Sequence, residues 1–175
     1  MKMKSDLWIN HADLPAEGLE YTINDQNIWL SGLERHNISC IPSAPVESFL
    51  RLLPQENGFL VMGDLSYSVF LPCKRCAEEY EASFQVHFEE FEGLDKEDSP
   101  PEDDLVRQGV IGLQLNLSGF LWEQFVLALP DNPLCRPDCR GLCSFCGGNL
   151  NEGLCSCEID RSDPRFAALR NLKIS

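Results

Sequence analysis

Six of the nine cysteines crowd into the 25 residues from Leu134 to Glu158, LCRPDCRGLCSFCGGNLNEGLCSCE. A stretch so poor in apolar side chains builds no core of its own, so something other than packing must hold it. Cys143 and Cys146 stand two residues apart, Cys155 and Cys157 one apart, and a glycine-rich turn separates the pairs. Two close pairs returned by a turn are what a tetrahedral zinc ion needs, with four thiolates at about 2.3 Å. Gly147, directly after Cys146, allows the positive φ of a turn that aims backbone amides at sulfur. These four are the expected first site. Cys73 and Cys76 repeat the two-residue spacing upstream, and with Cys135 and Cys139 they supply the ligands for a second; Cys40 is left over. One zinc is expected, with donors for two. Rubredoxin-like iron has the same donor preference, and spacing does not separate the two metals.

Other cysteine chemistry fits less well. Disulfides suit a short secreted chain, but MKMKSDLWIN carries no apolar export segment, and nine cysteines cannot all pair. A thioredoxin-like pair needs a helix beginning between its cysteines, whereas a strand leads into Cys73 and another follows Cys76. No glycine-rich phosphate loop is present, and the paired acids fall where nothing would shift their titration. All-cysteine metal sites are closed, without the open position that catalysis uses. A non-enzymatic protein with no small-molecule substrate is therefore expected.

The elements that must position these cysteines can be read from periodicity. Leu7 to Ile9 reads as a short edge strand, and Leu19 to Ile23 and Ile28 to Leu30 as short apolar segments divided by a turn or a single helical turn. Val46 to Leu53 reads as a strand with Val46, Ser48, Leu50 and Leu52 on one face, and Pro54 to Gly58 closes a hairpin. A long strand follows with Val61, Gly63, Leu65, Tyr67, Val69 and Leu71 inward, ending at Pro72 and Cys73. Phe84, Val86 and Phe88 share the inner face of the next strand and His87 takes the wetter one, so the Cys73–Cys76 element sits in a hairpin loop. His11 and His36 read as surface histidines. Residues 92–104 form an acidic loop, read as a solvated linker. Val110 to Leu115 alternates like a strand, and Asn116 or Ser118 caps a helix to Ala128 that covers the sheet and stops before Pro130. Ser162 or Asp163, followed by Pro164, starts a short last helix with Phe166, Leu169 and Leu172 inward and Arg165, Arg170 and Lys173 outward. The expected class is α+β: an antiparallel, meander or barrel-like sheet with one covering helix, a cysteine-rich zinc segment and a terminal helix. Residues 1–130 would form the mainly β domain and 131–175 the metal-binding part.

With 28 acids against 14 lysines and arginines, the formal charge is −14. Such a chain repels free nucleic acid, so naked RNA should bind weakly or not at all. Lys74, Arg75, Arg136 and Arg140 all flank cysteines and are the candidate partner-binding set, or else the charge balance for the metal. No apolar run approaches the roughly 20 residues needed to span a bilayer, and a thiol-rich chain suits a reducing cytoplasm.

An ordered set of motifs runs from about Gly58 to the C-terminus: Cys73-Lys-Arg-Cys-Ala after an alternating strand; a leucine-rich helix ending Leu-Ala-Leu-Pro130; Cys139-Arg-Gly-Leu-Cys-Ser-Phe-Cys-Gly-Gly-Asn-Leu-Asn-Glu; and Asp163-Pro-Arg-Phe-Ala-Ala-Leu. In this it resembles the YceD-like family of large ribosomal RNA accumulation proteins. The resemblance implies a ribosome-biogenesis factor that supports accumulation of large-subunit (23S) ribosomal RNA, with a large-subunit ribosomal protein or a pre-ribosomal particle as partner. The alternative is a generic zinc-dependent binding module or a thiol redox sensor.

Overall fold

A computed structural model describes residues 7–94, 105–153 and 155–157. Its element order is β1 (Trp8–Asn10), a 3-10 turn (His11–Asp13), β2 (Leu19–Ile23), α1 (Asn27–His36), β3 (Ile41–Pro42), β4 (Glu47–Gln55), β5 (Gly58–Pro72), β6 (Glu79–Gly93), β7 (Val106–Gly109), β8 (Gly112–Asn116) and α2 (Leu117–Leu127). The α+β class holds, with every strand pair antiparallel.

Strict alternation builds the larger sheet. β5 buries every odd residue from Phe59 to Leu71, and period-two burial forces a strand whose one face is dry. β6 pairs with it along its whole length, from Gly58↔Gly93 to Pro72↔Glu79. β4 and β3 share the opposite edge, and β2 pairs outside β4. The β4–β5 hairpin closes through Glu56 and Asn57. A second sheet has the order β1-β8-β7.

The helices cover the dry face. Phe120, Leu121 and Phe125 of α2 join Trp29 and Leu33 of α1 and the inner residues of β4, β5 and β6 in one core. Asn116 caps α2 by accepting from the Gly119 amide at 3.0 Å, and the buried Tyr67 hydroxyl donates to the Phe125 carbonyl at 2.9 Å. This bond ties sheet to helix at the centre of an aromatic stack.

Three local expectations are corrected. A turn does separate the two segments at residues 24–26, but Ile28 to Leu30 is not a short piece on its own: it lies in the ten-residue helix α1. Ile28, Trp29, Gly32 and Leu33 lie on one buried stripe, and the Gln26 side chain brackets the Val46 backbone at 2.9 and 3.0 Å, docking the helix start on the sheet. Val110 to Leu115 is not a strand throughout, because Val110 and Ile111 form the exposed turn between β7 and β8. Gly112, at φ 105°, completes a reversal that the alternating pattern hid. β6 also runs on to Gly93, so Glu92 belongs to a strand. Residues 95–104 of the expected acidic loop and the whole of the expected last helix, with Arg165, Arg170 and Lys173, lie outside the described residues.

The two helices meet at Gly32, where an added Cβ would come within 2.4 Å of the Trp122 ring. That ring is itself stacked on His36 and Phe125. Gly32→Ala would gain about 1 kcal/mol of helix propensity but incur an overpacking cost of about 1–3 kcal/mol. Clash outweighs propensity, so urea denaturation followed by circular dichroism should show a less stable protein. An unchanged or higher midpoint would mean that the helices separate freely.

Candidate metal centres

Where β5 ends at Pro72, the chain turns through residues 73–78 into β6. Within that loop the Cys73 amide donates to the Glu78 carbonyl at 2.9 Å, the Ala77 amide to the Cys73 carbonyl at 2.9 Å, and the Arg75 amide to the Cys73 sulfur at 3.4 Å. Residues 143–148 repeat the pattern: Cys143 donates to Gly148 at 2.8 Å, Gly147 to Cys143 at 2.9 Å, and the Phe145 amide to the Cys143 sulfur at 3.4 Å. Two sequences with only their cysteines in common thus fold into the same knuckle. Each is closed by a left-handed residue, Ala77 at φ 60° and Gly147 at φ 70°.

Two tetrads result, Cys73, Cys76, Cys135 and Cys139, and Cys143, Cys146, Cys155 and Cys157, with the sulfurs of each within 4.8 Å of one another. Sulfurs of Cys73 and Cys139 stand 3.8 Å apart, of Cys76 and Cys135 3.7 Å, and of Cys143 and Cys155 3.3 Å. Tetrahedral zinc with bonds of about 2.3 Å requires edges of about 3.8 Å, so the donor sets fit a four-coordinate ion. Both tetrads can hold a metal. The hairpin's Cys73 and Cys76 are brought to partners 66 and 59 residues away.

The sites differ in surroundings. Cys73, Cys76 and Cys139 are buried, packed with Tyr80, Leu134 and Cys135 into a small cluster apart from the main core. In the other tetrad Cys143 is buried but Cys146 is exposed. Charge is distributed unevenly within each. Burial pushes the Cys73 thiol up, but backbone amides of Cys135, Cys76 and Arg75 bring it down to about 6. The amides of Cys146 and Phe145, with the Cys155 thiol, bring Cys143 down to about 6. Cys135 is pushed up to about 12 by burial and by its three neighbouring thiols, and Cys157 up to about 12 by Cys146 and then burial. Each tetrad therefore pairs a ready thiolate with a thiol that keeps its proton, and a dication would displace that proton on binding.

The four cations flanking the cysteines divide. Arg75 donates to the carbonyls of Cys139 at 2.9 Å and Pro137 at 3.3 Å, clamping the second half of the buried tetrad. Arg136 donates to Asn151 Oδ1 at 2.8 Å and faces Asp138 at 3.5 Å. All four residues are exposed, and it is these bonds rather than burial that set Arg75 and Arg136 apart from Lys74 and Arg140. Cys40 lies in the main core, its thiol pushed up by burial. None of the histidines joins a tetrad: His11 packs on Phe59 and bonds the Gln55 carbonyl, His36 stacks on Trp122, and His87 faces Asp64.

Sequence reasoning passed over Asn149 and Asn151. Asn149 donates to Glu78 Oε1 at 2.6 Å and accepts from the Asn151 amide at 3.0 Å, while Asn151 Nδ2 donates to the Cys139 sulfur at 3.3 Å. The available signal was two asparagines between glycine turns, where Asx turns form.

The family described as large ribosomal RNA subunit accumulation protein YceD matches over residues 61–173. An uncharacterized protein of Mycobacterium tuberculosis is 30% identical over 123 residues, covering 69% of this chain and 58% of that protein. One of Mycobacterium leprae is 29% identical over 133 residues, covering 74% and 59%. The chain thus spans less than two thirds of the length of these relatives. No solved structure matches it.

Elemental analysis of the purified protein should find two divalent metal ions per chain. Cys146→Ser should lose one and keep the sheet, and metal content should fall on acidification, because protons compete with the metal for the thiolates. Less than half an equivalent at pH 7 would show that the tetrads hold no metal. Ala77→Gly should raise stability by about 1 kcal/mol in chemical denaturation, since a left-handed alanine costs about 1–2 kcal/mol. A loss instead would mean that Ala77 makes contacts worth more than its strain.

Proposed function

The chain belongs to the YceD family of large ribosomal RNA subunit accumulation proteins, and from this premise we propose that it is a non-catalytic ribosome-biogenesis factor. It supports accumulation of 23S ribosomal RNA by docking on a pre-ribosomal particle through a basic large-subunit protein rather than through bare RNA. The family match over residues 61–173, which takes in the long hairpin and both tetrads, carries the reading. Zinc is the proposed ion, because cysteine-only sites without histidine or carboxylate are the closed, structural kind. A closed site leaves no position for a reacting water, in keeping with a binding role. Among the described residues no helix is long and apolar enough to cross a membrane, and a thiol-rich chain suits the reducing cytoplasm.

The outer face of the larger sheet supports a basic protein partner. Its register sets Glu81, Phe70 and Ile41 in one row, Gln85, Ser66 and Glu47 in another, and His87, Asp64 and Phe49 in a third. Phe49 is 50% exposed and Ile41 60%. Glu20, Glu79 and Glu89 flank these rows, and the Arg51 guanidinium is already committed to the Glu17 carbonyl at 2.7 Å. Apolar side chains set in a field of carboxylates are complementary to a segment carrying lysine or arginine beside hydrophobic residues, and the field would steer encounter in a salt-dependent way.

The chain should comigrate with large-subunit precursors on a density gradient, and its depletion should lower 23S RNA relative to 16S. Charge reversal of Glu47, Glu81 and Glu89 to lysine should weaken comigration at least tenfold with metal content unchanged. Reversal of Lys74 and Arg140 tests RNA contact without disturbing the Arg75 clamp. Comigration that survives the acidic reversals but not the basic ones would replace a protein partner by RNA. The exposed Cys146 favours a second reading, a thiol redox sensor. That reading requires peroxide to release metal and change comigration together.

A further inference from the structure

The stretch between Cys146 and Cys155 closes when the exposed tetrad shares an ion, yet its side chains reach the other site. Asn151 Nδ2 donates to the Cys139 sulfur at 3.3 Å, and its Oδ1 accepts from the Arg140 amide and the Arg136 guanidinium, both at 2.8 Å. The same Nδ2 donates to Asn149 Oδ1 at 2.8 Å, and Asn149 reaches Glu78 at the end of the hairpin knuckle. Backbone bonds lie alongside, from Leu150 to Gly141 at 2.9 Å and from Leu142 to Arg75 at 3.1 Å. The loop of one site is therefore bonded to both halves of the other.

We propose that Asn151 is a positioning residue that couples the two metal sites, so that filling the buried tetrad raises the affinity of the exposed one and the reverse. The inference rests on the reading that both tetrads take a divalent metal. Among residues 147–153 of the loop Leu150 alone is apolar, so metal binding must supply much of its ordering. Once ordered by either ion, Asn151 presents an N–H to Cys139 and an acceptor to the Arg140 amide and the Arg136 guanidinium, and the other ion meets a prepared site. Affinity gained at one site must equal that gained at the other, because linkage is reciprocal. The order of filling is not symmetric. Cys73 and Cys76 sit on a hairpin that the sheet holds in place, whereas the exposed tetrad is built wholly from loops. The buried site should fill first.

A role confined to the local turn is the competing account. In that case Asn151 variants would weaken the exposed site alone and leave the sulfur environment of the buried site untouched. Asn151→Asp separates the two, since it keeps the acceptor for Arg136 and Arg140 but loses the donor to Cys139.

The test uses the full chain stripped of metal under reducing conditions and titrated with cobalt(II), whose thiolate charge-transfer absorption reports each site. One variant, Cys73→Ser with Cys76→Ser, removes the buried site; another, Cys146→Ser with Cys157→Ser, removes the exposed site. Deleting the buried site should weaken the exposed one by about tenfold, while deleting the exposed site should leave the buried one, which fills first, within twofold. With Asn151→Asp, or Asn151→Ala if the aspartate variant fails to fold, each deletion should leave the other site within twofold. The buried site's charge-transfer band should also shift when the donor to Cys139 is lost. Independent sites in the parent chain, or coupling that persists in both Asn151 variants, would overturn the proposal. A chain that takes up no cobalt or zinc would instead remove the metal reading, and this inference with it.

Discussion

The ladder between β5 and β6, 15 residues on each strand, is the constraint on which the rest of the structure depends. Its inner face supplies the buried wall that both helices cover, and its outer face stays in water. Because the ladder extends to Pro72 and Glu79, it carries the Cys73 loop to a place with only a small apolar cluster of its own. A turn so placed is held by its hydrogen bonds and by whatever its thiolates bind. The same length that makes the core therefore creates the need for a staple at its tip, which a metal held by the tetrad could supply.

Both knuckles meet that need with the same few bonds. A left-handed residue folds the chain so that an amide faces the first sulfur, and thiolate charge is spread over N–H donors before any metal arrives. Four thiolates around one dication still leave a net charge of about −2 per site. Arg75 and Arg136 lie against this charge while they clamp the backbone of the neighbouring loop. Their role in holding the centres together limits what they can offer a partner, and it separates them from Lys74 and Arg140, which are exposed in the same way.

The acidic, aromatic sheet face and the cysteine tetrads thus occupy different parts of the molecule. Carboxylates and exposed aromatics share the wet face of the sheet, on rows that the ladder spaces and orients, while the cysteine clusters gather at its end. A surface of this kind repels phosphate along most of the sheet, which is the physical ground for the protein partner proposed above.

Period-two burial made β4, β5 and β6 legible with the correct inner faces, and the two-residue cysteine spacing marked both knuckles, because each pattern reports geometry within a few residues. The same local logic failed where neighbours overrode it. Val110 and Ile111 alternate like a strand but turn between Gly109 and Gly112, and α1 was obscured by polar residues that face water on its outer side. What only the tertiary structure decided are relations between distant segments: that the Arg75 guanidinium closes on the Cys139 loop, and that Asn151 of one site bonds a sulfur of the other. Periodicity carries no information about such pairs: Arg75 and Cys139, 64 positions apart, meet through the path of the β5–β6 hairpin and the return of the chain after α2, and Asn151 and Cys139, 12 apart, meet through the turns between them.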